Sequence, residues 1–339
     1  MKQSTFVTPF KKPKSVFKDF KEDTEQTDRK CLENDRKYWK VDKLCKDNET
    51  KEAVMSIFKA QYSDLKEIFN ASNIISGTPP DFHKREFFLF CKDAELVDEN
   101  LHSGIIDTYF KATNFEEVDQ ENNDDLALNR FEFMEILLRI ARGKYMEFSD
   151  ETQLAYAMMK LLQTNILPMK AKLPPLQSWR NEQLWCIEVS DLLEVNIRAI
   201  KKLYAHIAVS MFNKVKNRIE DLSRSLVSID KICTTLKPVL NPIHISERKI
   251  MKAFYMSKMT VINENDDANY EYTYLHLPEF LEFIGRLAWL KYLKTYQNDT
   301  WPLIKKMKVV MRALFKLIQE PVIEPPEMEQ NVSDSDDDY

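Results

Sequence analysis

Two stretches decide the reading: Leu128-Asn-Arg-Phe-Glu132-Phe133-Met-Glu135-Ile-Leu-Leu-Arg139-Ile-Ala141-Arg-Gly-Lys144-Tyr145 and Leu275-His-Leu-Pro-Glu279-Phe280-Leu-Glu282-Phe-Ile-Gly-Arg286-Leu-Ala288-Trp-Leu-Lys291-Tyr292. Every numbered pair is identical at one constant offset. Upstream, at a different offset, Leu65-Lys66 through Phe69 matches Ile200-Lys201 through Tyr204. A likeness of this length marks a duplicated module with variable internal loops rather than a solenoid of short units. Within each stretch apolar residues recur three and four apart, the spacing of an amphipathic helix.

Composition narrows the class. Apolar residues make up 44% of the 339-residue chain and charged residues 30%, with a net charge of −5. That near balance argues against a dedicated nucleic-acid binder, which carries a basic excess. No apolar run is long enough to span a bilayer, so no membrane partner is expected, and the polar N-terminus has no signal-like core. Glycine is the most telling residue, because there are only four: Gly77, Gly104, Gly143 and Gly285. Phosphate-cradling loops need several at fixed spacing, so Rossmann, Walker and kinase-type loops are excluded. The five cysteines are scattered, which reads as buried thiols in a reducing compartment.

The expected fold is all-α, with two tandem helical modules. Residues 1–35 form a basic segment with Phe6, Phe10, Phe17 and Phe20 set among lysines and broken by Pro9 and Pro13. It reads either as a disordered tail or as an extended arm on an acidic partner with phenylalanine anchors. Module 1 covers 36–165. A proline-containing linker spans 166–178, and module 2 covers 179–296, opening with one long helix from Trp179 to Val209. Breaks are expected at Pro238 and Pro242. A basic amphipathic helix at 297–320 either packs on module 2 or serves as a target helix for a partner. Residues 321–339 form an acidic, disordered tail in which Ser333 and Ser335 precede acidic residues.

In both repeats a hydrophobe, Leu128 or Leu275, stands four residues before a glutamate that is followed by phenylalanine. This layout resembles the back half of an EF-hand, where the hydrophobe is loop position 8 and the glutamate position 12. The stretch from Phe87 to Tyr145 also resembles the tubulin polymerization-promoting (p25-alpha) proteins, through Phe90-Cys91-Lys92-Asp93, Leu96-Val97-Asp98, Asp107, Phe110, Phe133 and Ala141. The insertion before Phe133 is longer here than in that fingerprint. The Leu-x-Arg-x-Glu-Phe start and the Arg-Ile-Ala-x-x-Lys-Tyr end resemble EF-hand-like proteins of ciliary and flagellar axonemes. The resemblance implies association with tubulin, the microtubule lattice and other axonemal proteins, and a location in the cytoplasmic cytoskeleton of a cilium.

A working calcium loop needs oxygen ligands at positions 1, 3, 5, 9 and 12 and a glycine at position 6. Counted back from Glu132, the first loop offers Glu121, Asn123, Asp125 and Glu132 as candidate metal ligands. Position 1 is the longer Glu121, however, and Leu126 replaces the glycine, so calcium is not expected as a cofactor. The second loop would begin at Ala268 with Tyr270 and Tyr272 at positions 3 and 5, and cannot chelate. The partner hands are sought upstream, around 93–103 and 238–246, where the ligand series is also lacking. Glu132 and Glu279 are expected to cap or pair locally, and Glu279 and Glu282 to lie on a helix surface.

No catalytic constellation emerges. His83, His102, His206, His244 and His276 have no zinc-like spacing to cysteines or carboxylates, and no serine sits in a glycine-flanked elbow. The expectation is a non-enzymatic structural or interaction protein working without calcium. The alternative is a calcium sensor that grips a target helix.

Overall fold

In the computed structural model, which describes residues 10–77, 80–115, 126–146, 153–208, 226–265 and 271–326, Leu128 and Leu275 occupy matching positions. Phe82 pairs with Leu128 and His83 with Ala127, while Val227 pairs with Leu275 and Ser228 with Tyr274. Both pairings are antiparallel and share one register. These two-residue bridges are the only strands among the described residues, and the fold is all-α.

The first half runs α1 (Glu25–Asp35), α2 (Asn48–Ser76), β1 (Phe82–His83), α3 (Lys84–Asp93), α4 (Ser103–Asn114), β2 (Ala127–Leu128), α5 (Arg130–Tyr145) and α6 (Leu154–Leu161). The second runs α7 (Gln177–Trp179), α8 (Ile187–Val195), α9 (Ile197–Ile207), β3 (Val227–Ser228), α10 (Ile229–Leu240), α11 (Glu247–Met256), β4 (Tyr274–Leu275), α12 (Leu277–Tyr292), α13 (Tyr296–Thr300) and α14 (Leu303–Leu314). Asp47 starts α2 by accepting the Thr50 amide at 2.8 Å, and Gly77 stops it in the left-handed region at φ 84°.

Helices α5 and α12 are the axes of the two halves, buried along most of their lengths. The phenylalanine after each shared glutamate anchors the core. Phe133 lies 5.4 Å from Phe69 of α2 between ring centroids, and Phe280 lies 5.4 Å from Tyr204 of α9. Phe69 and Tyr204 are the residues the upstream repeat aligns. Helix α6 covers α5 and α14 covers α12. Met307, Val310, Met311 and Leu314 of α14 are fully buried, so the basic helix at 297–320 packs on its own module. Its exposed face carries Lys305, Arg312 and Lys316.

Two expectations are corrected. Residues 10–35 of the N-terminal segment are not an extended arm: Phe17 is 0% exposed and Phe20 4%, both inside the second core. Lys11, Lys14 and Lys18 stay exposed, whereas the half-buried Lys12 donates to the Phe20 carbonyl at 2.8 Å and lies 4.6 Å over the Trp185 ring. The chain then crosses to the first core, where α1 buries Cys31 and Leu32. Phe6 lies outside the described residues, as do residues 327–339 of the tail. The linker at 166–178 is packed on both sides. Ile166 and Met169 belong to the first core, Leu176 and Trp179 to the second, and Arg286 donates to the carbonyls of Pro175 and Leu176 at 2.9 and 2.8 Å. Finally, the long helix from Trp179 is interrupted by a wide turn at Arg180–Leu184, by Cys186 and by Asn196, whereas Pro238 sits inside α10 without ending it.

Truncating Phe17 to alanine removes a fully enclosed ring that joins the N-terminal segment to the second core. Phe17→Ala should lower unfolding stability by about 3–5 kcal/mol, measured by urea denaturation. A loss below about 1 kcal/mol, the range of ordinary surface changes, would show that the segment is detached in solution.

Candidate functional site

The shared glutamates are not surface groups. Glu132 is 0% exposed, Glu279 1% and Glu282 0%, and a buried carboxylate must find hydrogen-bond donors or neutralise. Glu132 closes a capping box at the start of α5 with Asn129, accepting the Asn129 amide at 3.0 Å. Glu279 does the same at the start of α12, accepting the His276 amide at 2.7 Å and the Met259 amide at 2.7 Å.

At Glu279 the protein supplies its own cation. Lys258 Nζ lies 2.9 Å from one carboxylate oxygen and 3.0 Å from the other, and it also donates to the Tyr274 carbonyl. Counted as a loop, Tyr274 is position 7 and Glu279 position 12, the backbone carbonyl and the bidentate carboxylate that a calcium ion would use. The described residues of this loop therefore do not fit a calcium ion, because an ammonium group holds both donors. Tyr272, the expected position 5, is buried and donates to Glu264. In the first loop, Glu121, Asn123 and Asp125 lie outside the described residues, as do Ala268 and Tyr270 in the second; Leu126 is 64% exposed. Among the described residues no cluster of three or more histidine, cysteine or acidic side chains could hold a metal ion.

The bridging partners lie elsewhere than at 93–103 and 238–246. They are Phe82 and Val227, each two residues before a helix. Phe82-x-x-x-Glu86-Phe87 has the spacing of Leu128-x-x-x-Glu132-Phe133, a signal the sequence does contain. Val227-x-x-x-Lys231-Ile232 lacks the glutamate and carries no such mark.

A second repeated device is buried nearby. Trp39-Lys40 and Trp179-Arg180 precede α2 and α8, each with a leucine four residues after the basic residue, Leu44 and Leu184. Glu135 accepts the Lys40 amide at 2.9 Å and Arg139 at 2.7 Å. Glu282 accepts Arg180 at 2.8 Å and Arg286 at 2.9 Å. Lys40 and Arg180 also donate to carbonyls at the C-terminal ends of α4 and α11, Thr113 at 2.9 Å and Met256 at 3.1 Å. Each carboxylate thereby ties three segments together.

The two halves meet at a buried charge cluster. Arg130, 0% exposed, takes Asp35 at 2.8 Å, Glu264 at 2.9 Å and the carbonyls of Val261 and Ile262 at 3.0 Å. Tyr62 donates to Asp35 at 2.6 Å. Burial pushes Glu264 above the usual carboxylate range, with Arg130 opposing. Nearby, Lys66 pairs with Asp23 at 2.7 Å and Asp28 at 2.5 Å, and Thr260 donates to Asp23 at 2.9 Å.

An open cleft of about 970 Å³ lies between the N-terminal segment, α9 and the start of α12. Val16, Ile197 and Leu281 line it together with Lys14, Lys18 and Lys201. Comparison of the chain with protein-family models, curated proteins and solved structures found no match.

Removing the internal cation tests its part directly. Lys258→Met leaves Glu279 buried opposite an apolar tip and should cost about 3–5 kcal/mol of stability. Adding Glu279→Gln should return part of that loss, because the two residues form one coupled unit. Chemical denaturation of the single and double variants provides the check.

Proposed function

We propose that this chain is a non-catalytic structural protein that associates with microtubules, in the setting of a ciliary axoneme, through two diverged EF-hand-like modules. The observation that carries the reading is Lys258, seated where a regulatory cation would act. A helix pair locked by its own ammonium group has no calcium-dependent opening step, and a static pair suits a scaffold better than a sensor. The same observation weighs against the calcium-sensor alternative. The packing of the N-terminal segment, the linker and α14 onto the modules supports a rigid body with fixed faces.

The microtubule part rests on the resemblance around Phe90-Cys91-Lys92-Asp93 and Leu128–Tyr145, together with cations presented on rigid elements. Phe17 and Phe20 are buried and so are not available as anchors for a partner. The exposed face of α14 and the turn after it, with Lys305, Arg312 and Lys316, takes that place as the surface for an acidic lattice. Contacts of this kind are screened by salt.

Co-sedimentation with stabilised microtubules checks the reading. The intact chain should pellet with the polymer at low ionic strength. The triple variant Lys305→Glu, Arg312→Glu, Lys316→Glu should lose about tenfold or more in affinity, given that two or more exposed contacts reverse sign. An intact chain that stays in the supernatant at every salt concentration would contradict it.

A further inference from the structure

The end of the second half remote from its β3–β4 bridge carries five closely set cations. Arg248, Lys249 and Lys252 lie on one face of α11. Helix α12 runs antiparallel to α11. Lys258, just after α11, meets Glu279 at the start of α12, and Lys291, near the end of α12, donates to the Ile243 carbonyl ahead of α11 at 2.6 Å. Lys291 is thereby brought within range of Lys249, and Lys294 within range of Lys252. Among the described residues none of the five pairs with a carboxylate. Glu247, the one acid of α11, is engaged by Lys237 at 2.6 Å.

Holding these charges together works against the fold. Cations three and four residues apart on a helix repel one another. Burial, together with Arg248 and Lys294, keeps the Lys252 ammonium below its ordinary range, and burial with Lys249 does the same to Lys291. Lys294 also takes the left-handed backbone just past α12, at φ 69°, the conformation that Gly77 supplies after α2. The first half shows that the helical frame does not require bare cations here. Lys144, the repeat counterpart of Lys291, has Asp98 as its partner, and Lys111 of α4 shares Asp107 with Lys84 at 2.7 and 2.5 Å. Charges neutralised in one copy and left bare in the other point to a counter-charge supplied from outside.

The surroundings define the occupant. Leu293 is 37% exposed and Tyr296 78%, on either side of Lys294 in the chain, so apolar surface borders the charge. The chain as a whole is acidic, at a net −5. It therefore repels a long nucleic acid or an anionic membrane that extends past the patch, whereas a short acidic segment meets the cations alone. We propose that this patch docks an acidic polypeptide segment of a partner protein, with carboxylates on Arg248, Lys252 and Lys294 and an apolar side chain on Leu293 and Tyr296. None of these cations belongs to the α14 face on which microtubule binding rests.

The test is fluorescence anisotropy with a labelled peptide in which pairs of glutamate alternate with leucine, at about 0.15 M salt, where exposed charges more than about 8 Å apart are largely screened. The full chain should bind this peptide saturably and should not bind the same peptide with glutamine in place of glutamate. Arg248→Glu, Lys252→Glu, Lys294→Glu should weaken binding about tenfold or more. The matched reversal in the first half, Lys30→Glu, Lys59→Glu, Lys92→Glu, changes the net charge equally and should leave binding within about twofold. The milder pair Lys252→Gln, Lys294→Gly relieves repulsion and backbone strain, so it should raise the thermal unfolding midpoint while still weakening the peptide. A lowered midpoint in that pair would make the cations structural and overturn the proposal. So would no binding by the full chain, equal binding of the glutamine peptide, or equal losses from the two reversals. Tighter binding of a single-stranded oligonucleotide or of phosphatidylserine vesicles than of the peptide would overturn it as well.

Discussion

A carboxylate buried in the first turn of a helix must be given donors by the fold, and in this protein that requirement organises both halves. Glu132 and Glu279 sit at the same place in α5 and α12, each closing a capping box with the residue after its bridge. At Glu279 the remaining demand is met by Lys258, which reaches from the end of α11 and also takes the Tyr274 carbonyl. The bridge, the helix start and the preceding helix are thereby fixed to one another by one ion pair. One turn further along, Glu135 and Glu282 repeat the logic with Lys40 and Arg139, and with Arg180 and Arg286. Breaking any of these pairs leaves a charge inside the protein, so neighbouring segments hold their positions together.

The same chemistry joins the halves. Arg130 belongs to α5, yet two of its acceptors are the carbonyls of Val261 and Ile262 and a third is Glu264, all from the segment before β4. Asp35 at the end of α1 completes its surroundings. The N-terminal segment adds Phe17 and Phe20 to the second core before α1 enters the first, so one stretch of chain staples both. The molecule is thus better understood as two related helix sets clamped face to loop than as beads on a linker. Such fixed relative placement is consistent with the proposed structural role, in which several weak contacts would act at once.

Much of this was legible in the sequence where the information is local. The helical class follows from scarce glycine and the three-and-four spacing of apolar residues. The matched positions of Leu128 and Leu275 follow from the Glu-Phe pair downstream, and the local capping by Glu132 and Glu279 from their place in the helix start. The bridge partner Phe82 was also written there, in Phe82, Glu86 and Phe87, whereas Val227 has only Lys231 at the glutamate's place. The N-terminal segment misled because lysine density suggests solvent, while burial of Phe17 depends on a core supplied by residues 176–318. Lys258 and Arg130 were illegible for a similar reason. An isolated cation on a helix face reads as solvated, and only the folded arrangement brings Glu279 or Glu264 to it.

In the second repeat Lys258 holds the loop carboxylate and carbonyl, and the proposed role requires the chain to work without calcium. Calorimetric titration of the intact chain with calcium addresses it most directly. No saturable heat is expected up to about a millimolar, the weak end of the range for such loops. A stoichiometric site of micromolar affinity would contradict it.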